Sequence, residues 1–283
     1  VTTQFRRANA FFALLATALP ATSIAEHHPI VLRPDQGTML VQAALPHVRD
    51  QVFTLLIPKT LGTADQVLMN FPATPVRWTW AAQESVWHAR YTELDLVDFK
   101  AHLTADTNTI TMSYEVRNDS DHPWEDVWIF TFLAPHGGED YRDTRGERTY
   151  ISLDGKPTLL STLEWPSDPE GNPDHAVFPI KGRQSLLPAL PRGLHAESPH
   201  QPTAGWMLTM NEEGDAFAAL LTPNPLFLFR NRDLSSLHVA PLLGDLAPGQ
   251  TGSATVIALF GAADAETAME TVLKAYARMK EQD

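Results

Sequence analysis

Apolar and polar positions alternate along this chain in short runs with the spacing of β-strands. Between Thr109 and Arg117, Ile110, Met112, Tyr114 and Val116 take every second place, while Thr109, Thr111, Ser113, Glu115 and Arg117 take the others. Successive side chains of an extended segment point to opposite faces, so this run places one face in a core and one in water. Val97, Phe99, Ala101 and Leu103 alternate in the same way with Asp98, Lys100 and His102. The polar stretch from Thr104 to Asn108 between them reads as a hairpin connection that makes the two runs antiparallel neighbours. After the turn residues Asn118 to Asp121, the segment Trp124 to Leu133 ends in a nearly unbroken apolar run, as a strand covered on both faces does.

The same reading predicts strands at 51–57, 76–81, 85–92, 148–153, 205–210, 216–221, 226–230 and 252–260. Many short strands with almost no intervening helix argue for an all-β fold, an antiparallel β-sandwich or supersandwich, and against βαβ units. The 22 prolines fit, because proline punctuates strand ends and loops. Pro248-Gly249 suits the centre of a type II turn. The Pro-rich, weakly patterned interval from Glu164 to Pro202 reads as a long loop excursion. One helix is predicted over 264–280. Asp264 can cap it, and Ala265, Ala268, Met269, Val272, Tyr276 and Met279 recur at three- and four-residue steps, giving one apolar face. Without an internal repeat or linker, residues 26–283 read as a single domain, with at most a small N-terminal appendage over 29–73.

The first 25 residues change the picture. Arg6 and Arg7, the uncharged apolar stretch Ala8 to Leu19 and the small-residue end Ser23-Ile24-Ala25 predict an export signal and a mature chain beginning at Glu26. A periplasmic or secreted protein is expected. The run is shorter than the roughly 20 apolar residues of a membrane span, so no membrane insertion is expected after cleavage. The chain carries 21 Lys and Arg against 34 Asp and Glu, a formal charge of −13 that cleavage makes more negative by two. With no dense basic patch, nucleic acid is excluded as a natural partner.

There is no cysteine, which removes disulfides, thiolate metal sites and a cysteine nucleophile together. An exported chain without disulfides fits a bacterial envelope. His-Glu-x-x-His, phosphate-binding glycine loops and Gly-x-Ser-x-Gly are all missing, so zinc proteases, nucleotide-dependent enzymes and serine hydrolases lose weight, and no cofactor is expected. One metal reading is specific: a free terminus Glu26-His27-His28 would chelate Cu²⁺ or Ni²⁺ in a square plane, provided cleavage falls after Ala25. No other metal site is expected.

Two polar segments could carry chemistry. His136 to Tyr150 follows the apolar run directly and brings His136, Glu139, Asp140, Arg142 and Arg148 to one rim of a sheet. Its carboxylates and arginines suit sugar hydroxyls or an anionic sugar, with His136 available for proton transfer. A solvated loop with locally paired charges explains the same residues. The second segment runs from Arg230 to Asp245 and holds His238 in a less charged setting, either as a structural hydrogen-bonder or as a tuned acid or base. Among the tryptophans, Trp165 lies beside Pro166 in the Pro-rich excursion and is the candidate for stacking on a sugar ring, the others fitting a core.

Tyr114-Glu115-Val116-Arg117-Asn118-Asp119-Ser120 resembles the tyrosine-to-asparagine strand end of secreted bacterial β-sandwich proteins of the galactose-mutarotase-like kind. The stretch from His238 to Leu246-Ala247-Pro248-Gly249 resembles the turn and strand that close them. The resemblance implies a sugar-handling sandwich in which a histidine acid works with a glutamate base; His238 would take the first role, and no glutamate falls at a matching position. The expectation is therefore an exported protein that binds a neutral or acidic sugar in a cleft between 136–150 and 230–245. His136 and His238 would be its catalytic groups, and Glu139, Asp140, Arg142, Arg148, Trp165 and Arg230 its substrate contacts. Epimerase, lyase and hydrolase chemistry stay open, as do the oligomeric state and whether it is an enzyme at all. The alternative is a non-enzymatic adhesion or scaffolding domain of the envelope.

Overall fold

In the computed structural model, residues 29–35, 38–45, 51–70, 81–83, 86–91, 96–135, 139–166, 174–187 and 196–282 are described. The expected export signal and the Glu26 terminus lie outside these residues. The described residues form two nine-stranded sheets packed face to face, with one α-helix outside them. The first sheet contains β1 (Val31–Pro34), β2 (Leu40–Leu45), β3 (Gln51–Gly62) and β4 (Val67–Asn70). The second opens with β5 (Ala81–Gln83), β6 (Val86–Tyr91), β7 (Val97–Ala105) and β8 (Thr109–Asn118). The chain returns to the first sheet with β9 (Trp124–Ala134), then supplies β10 (Thr149–Leu153) and β11 (Lys156–Leu159) to the second and β12 (His175–Pro179) and β13 (Ala196–Glu197) to the first. β14 (Pro202–Met210) and β15 (Ala216–Leu221) join the second, β16 (Pro225–Asn231) and β17 (Ser236–Leu246) the first, and β18 (Thr251–Ala262) the second before the helix α1 (Ala265–Gln282).

Strand order is β1-β2-β3-β9-β17-β16-β12-β13 in the first sheet, with β4 on β3, and β11-β10-β14-β15-β18-β8-β7-β6-β5 in the second. All described pairings are antiparallel except β12 with β13. The architecture is the expected β-sandwich with a C-terminal helix. The alternation that announced β7 and β8 is met residue for residue: Val97, Phe99, Ala101 and Leu103 and then Ile110, Met112, Tyr114 and Val116 are buried between the sheets, facing Leu55, Ile129, Leu228 and Val239 of the first sheet. Such an interior is worth about 25 cal/mol for each Å² of apolar surface it takes from water.

The outer face of the second sheet is covered by α1. Ala268, Val272 and Met279 are buried against Trp206, Leu208, Phe217, Ala219 and Leu259, with Ala265, Met269 and Tyr276 beside them. These are the positions the periodicity marked. Asp264 caps the helix by accepting the Thr267 N–H at 2.9 Å, and that bond holds its carboxyl below the usual range.

The two places that carry the family resemblance meet in space. Asn118 Nδ2 donates to the carbonyl of Leu246 at 2.9 Å and to that of His122 at 2.8 Å, and the Gly249 N–H donates to the Asn118 carbonyl at 2.6 Å. Gly249 takes φ +77°, the left-handed angle that the Pro248-Gly249 turn requires.

Several elements were not foreseen. β1, β2 and β4 pair into the first sheet through β3, so residues 29–70 belong to the sandwich rather than forming an appendage. The Pro-rich interval is not loop throughout, because His175–Pro179 pairs with β16 and Ala196–Glu197 with β12. β17 runs for 11 residues through the polar segment 230–245, where the pattern predicts a connection.

Candidate functional site

The two polar segments do meet, at one end of the sandwich, but the contact is made for the protein itself. Asp143 organises the turn that carries residues 143–149: its carboxylate accepts the N–H groups of Glu147 and Arg148, each at 3.0 Å, and the Thr149 hydroxyl at 2.7 Å. Its own N–H donates to Ser235 Oγ at 2.8 Å, and its carbonyl accepts Arg230 Nη2 at 2.6 Å. Arg230 is fully buried. It also donates from Nη1 to the Ser236 carbonyl at 3.2 Å and lies 4.0 Å from the Asp143 carboxylate. Burial draws its guanidinium down to about 10, with the Asp143 charge opposing that shift.

Arg148 serves the same turn, donating to the backbone carbonyls of Asp140, Met210 and Arg142 at 2.8, 3.2 and 2.6 Å. The Asp140 carboxylate accepts Gln51 Nε2 at 3.4 Å, and Arg142 is exposed. Glu139 begins a single turn of 3₁₀ helix (Glu139–Tyr141). His136 lies outside the described residues. Trp165 is half-buried, and one face of its indole already carries the Arg232 guanidinium, 3.7 Å from the ring centroid, while Phe178 meets it edge-on.

His238 points the other way. In the β16–β17 hairpin, Leu228 pairs with Val239, Phe229 with His238 and Arg230 with Leu237. Leu228, Val239 and Leu237 face the second sheet, so Arg230 does too, whereas Phe229 and His238 share the outer face of the first sheet. There the imidazole is fully buried among aromatic rings. It stacks on Phe130 at 4.7 Å and 19°, meets Phe132 and Phe229 edge-on at 4.9 and 4.7 Å, and holds Nε2 2.7 Å from Ser236 Oγ. His175 of β12 closes on Phe229 at 5.5 Å.

The same three phenyl rings hold a cation that sequence reasoning missed. Lys59 of β3 places Nζ 5.2 Å from the centroid of Phe130, 5.5 Å from Phe229 and 5.7 Å from Phe132. The rings themselves are packed, Phe130 and Phe132 being 6 % exposed and Phe229 2 %, whereas Lys59 as a residue is partly exposed. Loss of solvent lowers its pKa to about 8. Beside it Thr60 Oγ1 donates to Asn70 Oδ1 at 2.9 Å. The signal in the sequence was there to read: Lys59 is the lone charge in the apolar run Val52 to Gly62.

The outer face of the first sheet thus offers an amine able to hold an anion or, deprotonated, to accept a proton, above an aromatic layer that encloses a fully buried imidazole. Among the described residues no group of three or more His, Cys, Asp or Glu is placed to hold a metal ion. Nor, among the described residues, is any helix long and apolar enough to cross a membrane.

No protein-family model and no curated sequence matches the chain. Solved structures do. An α-N-acetylgalactosaminidase of Bifidobacterium bifidum, NagBb, in complex with GalNAc, superposes with a TM-score of 0.55 at 9 % identity, over 88 % of this chain and 38 % of that one. A galactose mutarotase-like protein from Lactobacillus casei gives 0.45 at 9 % identity, over 82 % of this chain and all of that one. A galactose mutarotase related enzyme from Lactobacillus acidophilus gives 0.43 at 12 % identity, over 83 % and 98 %. Galactose-mutarotase-like proteins therefore stand among the structural neighbours, as the sequence resemblance implied. At these identities the likeness is one of fold.

Proposed function

We propose that this protein binds a carbohydrate on the outer face of the first sheet, at the aromatic box shared by Lys59 and His238. The observation that carries the reading is Lys59, a partly exposed residue whose amine lies over three phenyl rings that also enclose a buried imidazole. A sugar presents its oxygens to an amine, and with the phenyl rings packed beneath it the Lys59 ammonium is the group of the box that such oxygens would meet. The solved complex of NagBb with GalNAc supports the choice of ligand class. The segment 139–150 and Arg230 then act as the framework at the end of the sandwich, and proton transfer to a bound sugar falls to Lys59, because His238 is sealed behind the phenyl rings. The leader-like residues 1–25 favour an exported protein, which mass spectrometry of the secreted or periplasmic product tests directly.

The deciding experiment is a glycan array followed by calorimetry on wild-type protein, His238→Ala and Lys59→Met. Binding that weakens at least tenfold in both variants, with each still folded by circular dichroism, is the expected result. Absence of binding to neutral and acidic sugars alike refutes the reading and leaves the envelope scaffold.

A further inference from the structure

We infer that the ligand of the Lys59 box carries a carboxylate, which makes it an acidic sugar of the uronate class. The inference rests on the carbohydrate reading above and narrows it. Acids outnumber bases in this chain, 34 to 21, and several cations pair with carboxylates, among them Arg90 with Asp98, Lys100 with Glu115, Arg117 with Asp119, Lys181 with Asp154, Lys274 with Glu270 and buried Arg230 with Asp143, while Arg148, Arg183 and Lys280 donate to carbonyl oxygens. Lys59 differs. Among the described residues no carboxylate pairs with it and no oxygen accepts a hydrogen bond from it; its neighbours are the faces of Phe130, Phe132 and Phe229. Phenyl faces attract a cation but accept no classical N–H···O bond. A half-buried ammonium has therefore lost water without gaining an acceptor, and an incoming anionic oxygen would supply one.

The size of the charge also matters. A single ammonium neutralises one negative charge, and a wall of phenyl rings offers a second nothing, so a monoanionic carboxylate fits where a phosphate dianion would bring an unpaired charge into an apolar setting. Among the described residues the titratable groups that share the box are imidazoles, His238 of β17 and, across Phe229, His175 of β12; the facing residues of β9 and β16 are the phenyl rings themselves. The amine's pKa of about 8 lies close enough to neutrality for its charge to be switched off at moderate pH.

Calorimetry of the full chain with D-galacturonate against D-galactose, and D-glucuronate against D-glucose, tests this. A charge-assisted bond to Lys59 predicts a preference for each uronate of about tenfold or more at pH 7. That preference should vanish in Lys59→Met, survive in part in Lys59→Arg, and decline as pH is raised from 7 to 9.5. Equal binding of neutral sugars and uronates, with Lys59→Met unchanged in that ratio, overturns the inference and leaves the carbohydrate reading standing. Tighter binding of glucose 6-phosphate than of glucuronate overturns it, as does a borohydride-reducible adduct of Lys59 with D-galactose, which would make the amine a carbonyl nucleophile. Failure of every one of these sugars to bind removes the inference and the carbohydrate reading together.

Discussion

Replacing Asp143 by Ala should unfasten the end of the sandwich where residues 139–149 and 230–236 meet. The carboxylate accepts three hydrogen bonds, from Glu147 N–H, Arg148 N–H and Thr149 Oγ1, at 3.0, 3.0 and 2.7 Å, and it is the anion nearest the fully buried Arg230 guanidinium at 4.0 Å. Hydrogen bonds to a charged acceptor contribute roughly 1.5 to 3 kcal/mol each, and stranding one partner of a buried ion pair costs roughly 3 to 5 kcal/mol. These overlap rather than add, because Arg230 keeps the backbone carbonyls of Asp143 and Ser236. The expected loss is about 4 kcal/mol. Urea unfolding followed by tryptophan fluorescence measures it, in a cycle with Arg230→Met. The methionine removes the buried charge, so the double variant should be more stable than the sum of the singles by about 2 kcal/mol. A loss under about 1 kcal/mol for Asp143→Ala, or strict additivity in the cycle, would show that the turn and the guanidinium do not support one another.

Three other outcomes follow from the same contacts. Lys59 is lowered from 10.5 to about 8 in the folded chain, so between those values the unfolded state binds the extra proton and stability contributed by this group rises with pH; below 8 the full cost of charging it is present. Lys59→Met should accordingly raise stability at pH 7 by up to about 3 kcal/mol and flatten the slope between pH 8 and 10.5, read as the difference between variant and wild-type urea midpoints. Gly205→Ala should cost more than about 2 kcal/mol, since an added Cβ would lie 2.7 Å from Pro225 Cγ and against the Thr222 carbonyl, whereas Gly214→Ala, at φ +73° with open space around it, should cost about 1 kcal/mol of backbone strain; equal thermal shifts would refute the packing argument. Asp264→Ala should cost about 1 kcal/mol through the lost cap and shorten α1 measurably in amide hydrogen exchange.

What the sequence announced well was what periodicity alone decides. β7, β8 and α1 lie where alternation and three-to-four spacing put them, because each has one solvent-facing and one core-facing side. β12 and β17 were not legible for a different reason. His175–Pro179 is embedded among prolines, and β17 carries Ser236 and His238 on a face that aromatic neighbours cover, so polar residues sit where a lone sequence shows no apolar wall to receive them. Arg230 and His238 were read as members of one loop. A hairpin separates them instead, since an odd step in register across β16 and β17 sends one to the interior and the other to the outer face.

Lys59 owes its position to a departure from the very alternation that made the rest readable. In β3, Leu55, Ile57 and Leu61 face the second sheet, so strict period 2 would aim Lys59 into that interior with them. The pairing with β9 breaks just here: Leu56 opposes Phe132 and Thr60 opposes Phe130, which sets four steps of β3 against two of β9. The surplus residues form an irregularity that lets Lys59 leave the core side and reach Phe130, Phe132 and Phe229 on the outer face while Leu61 returns inward. Without it the ammonium would be buried between two sheets at a cost of several kcal/mol with no anion to meet it. The break thus turns a residue the fold could not tolerate inside into the accessible cation of its aromatic face, and it explains why no periodicity could have pointed there.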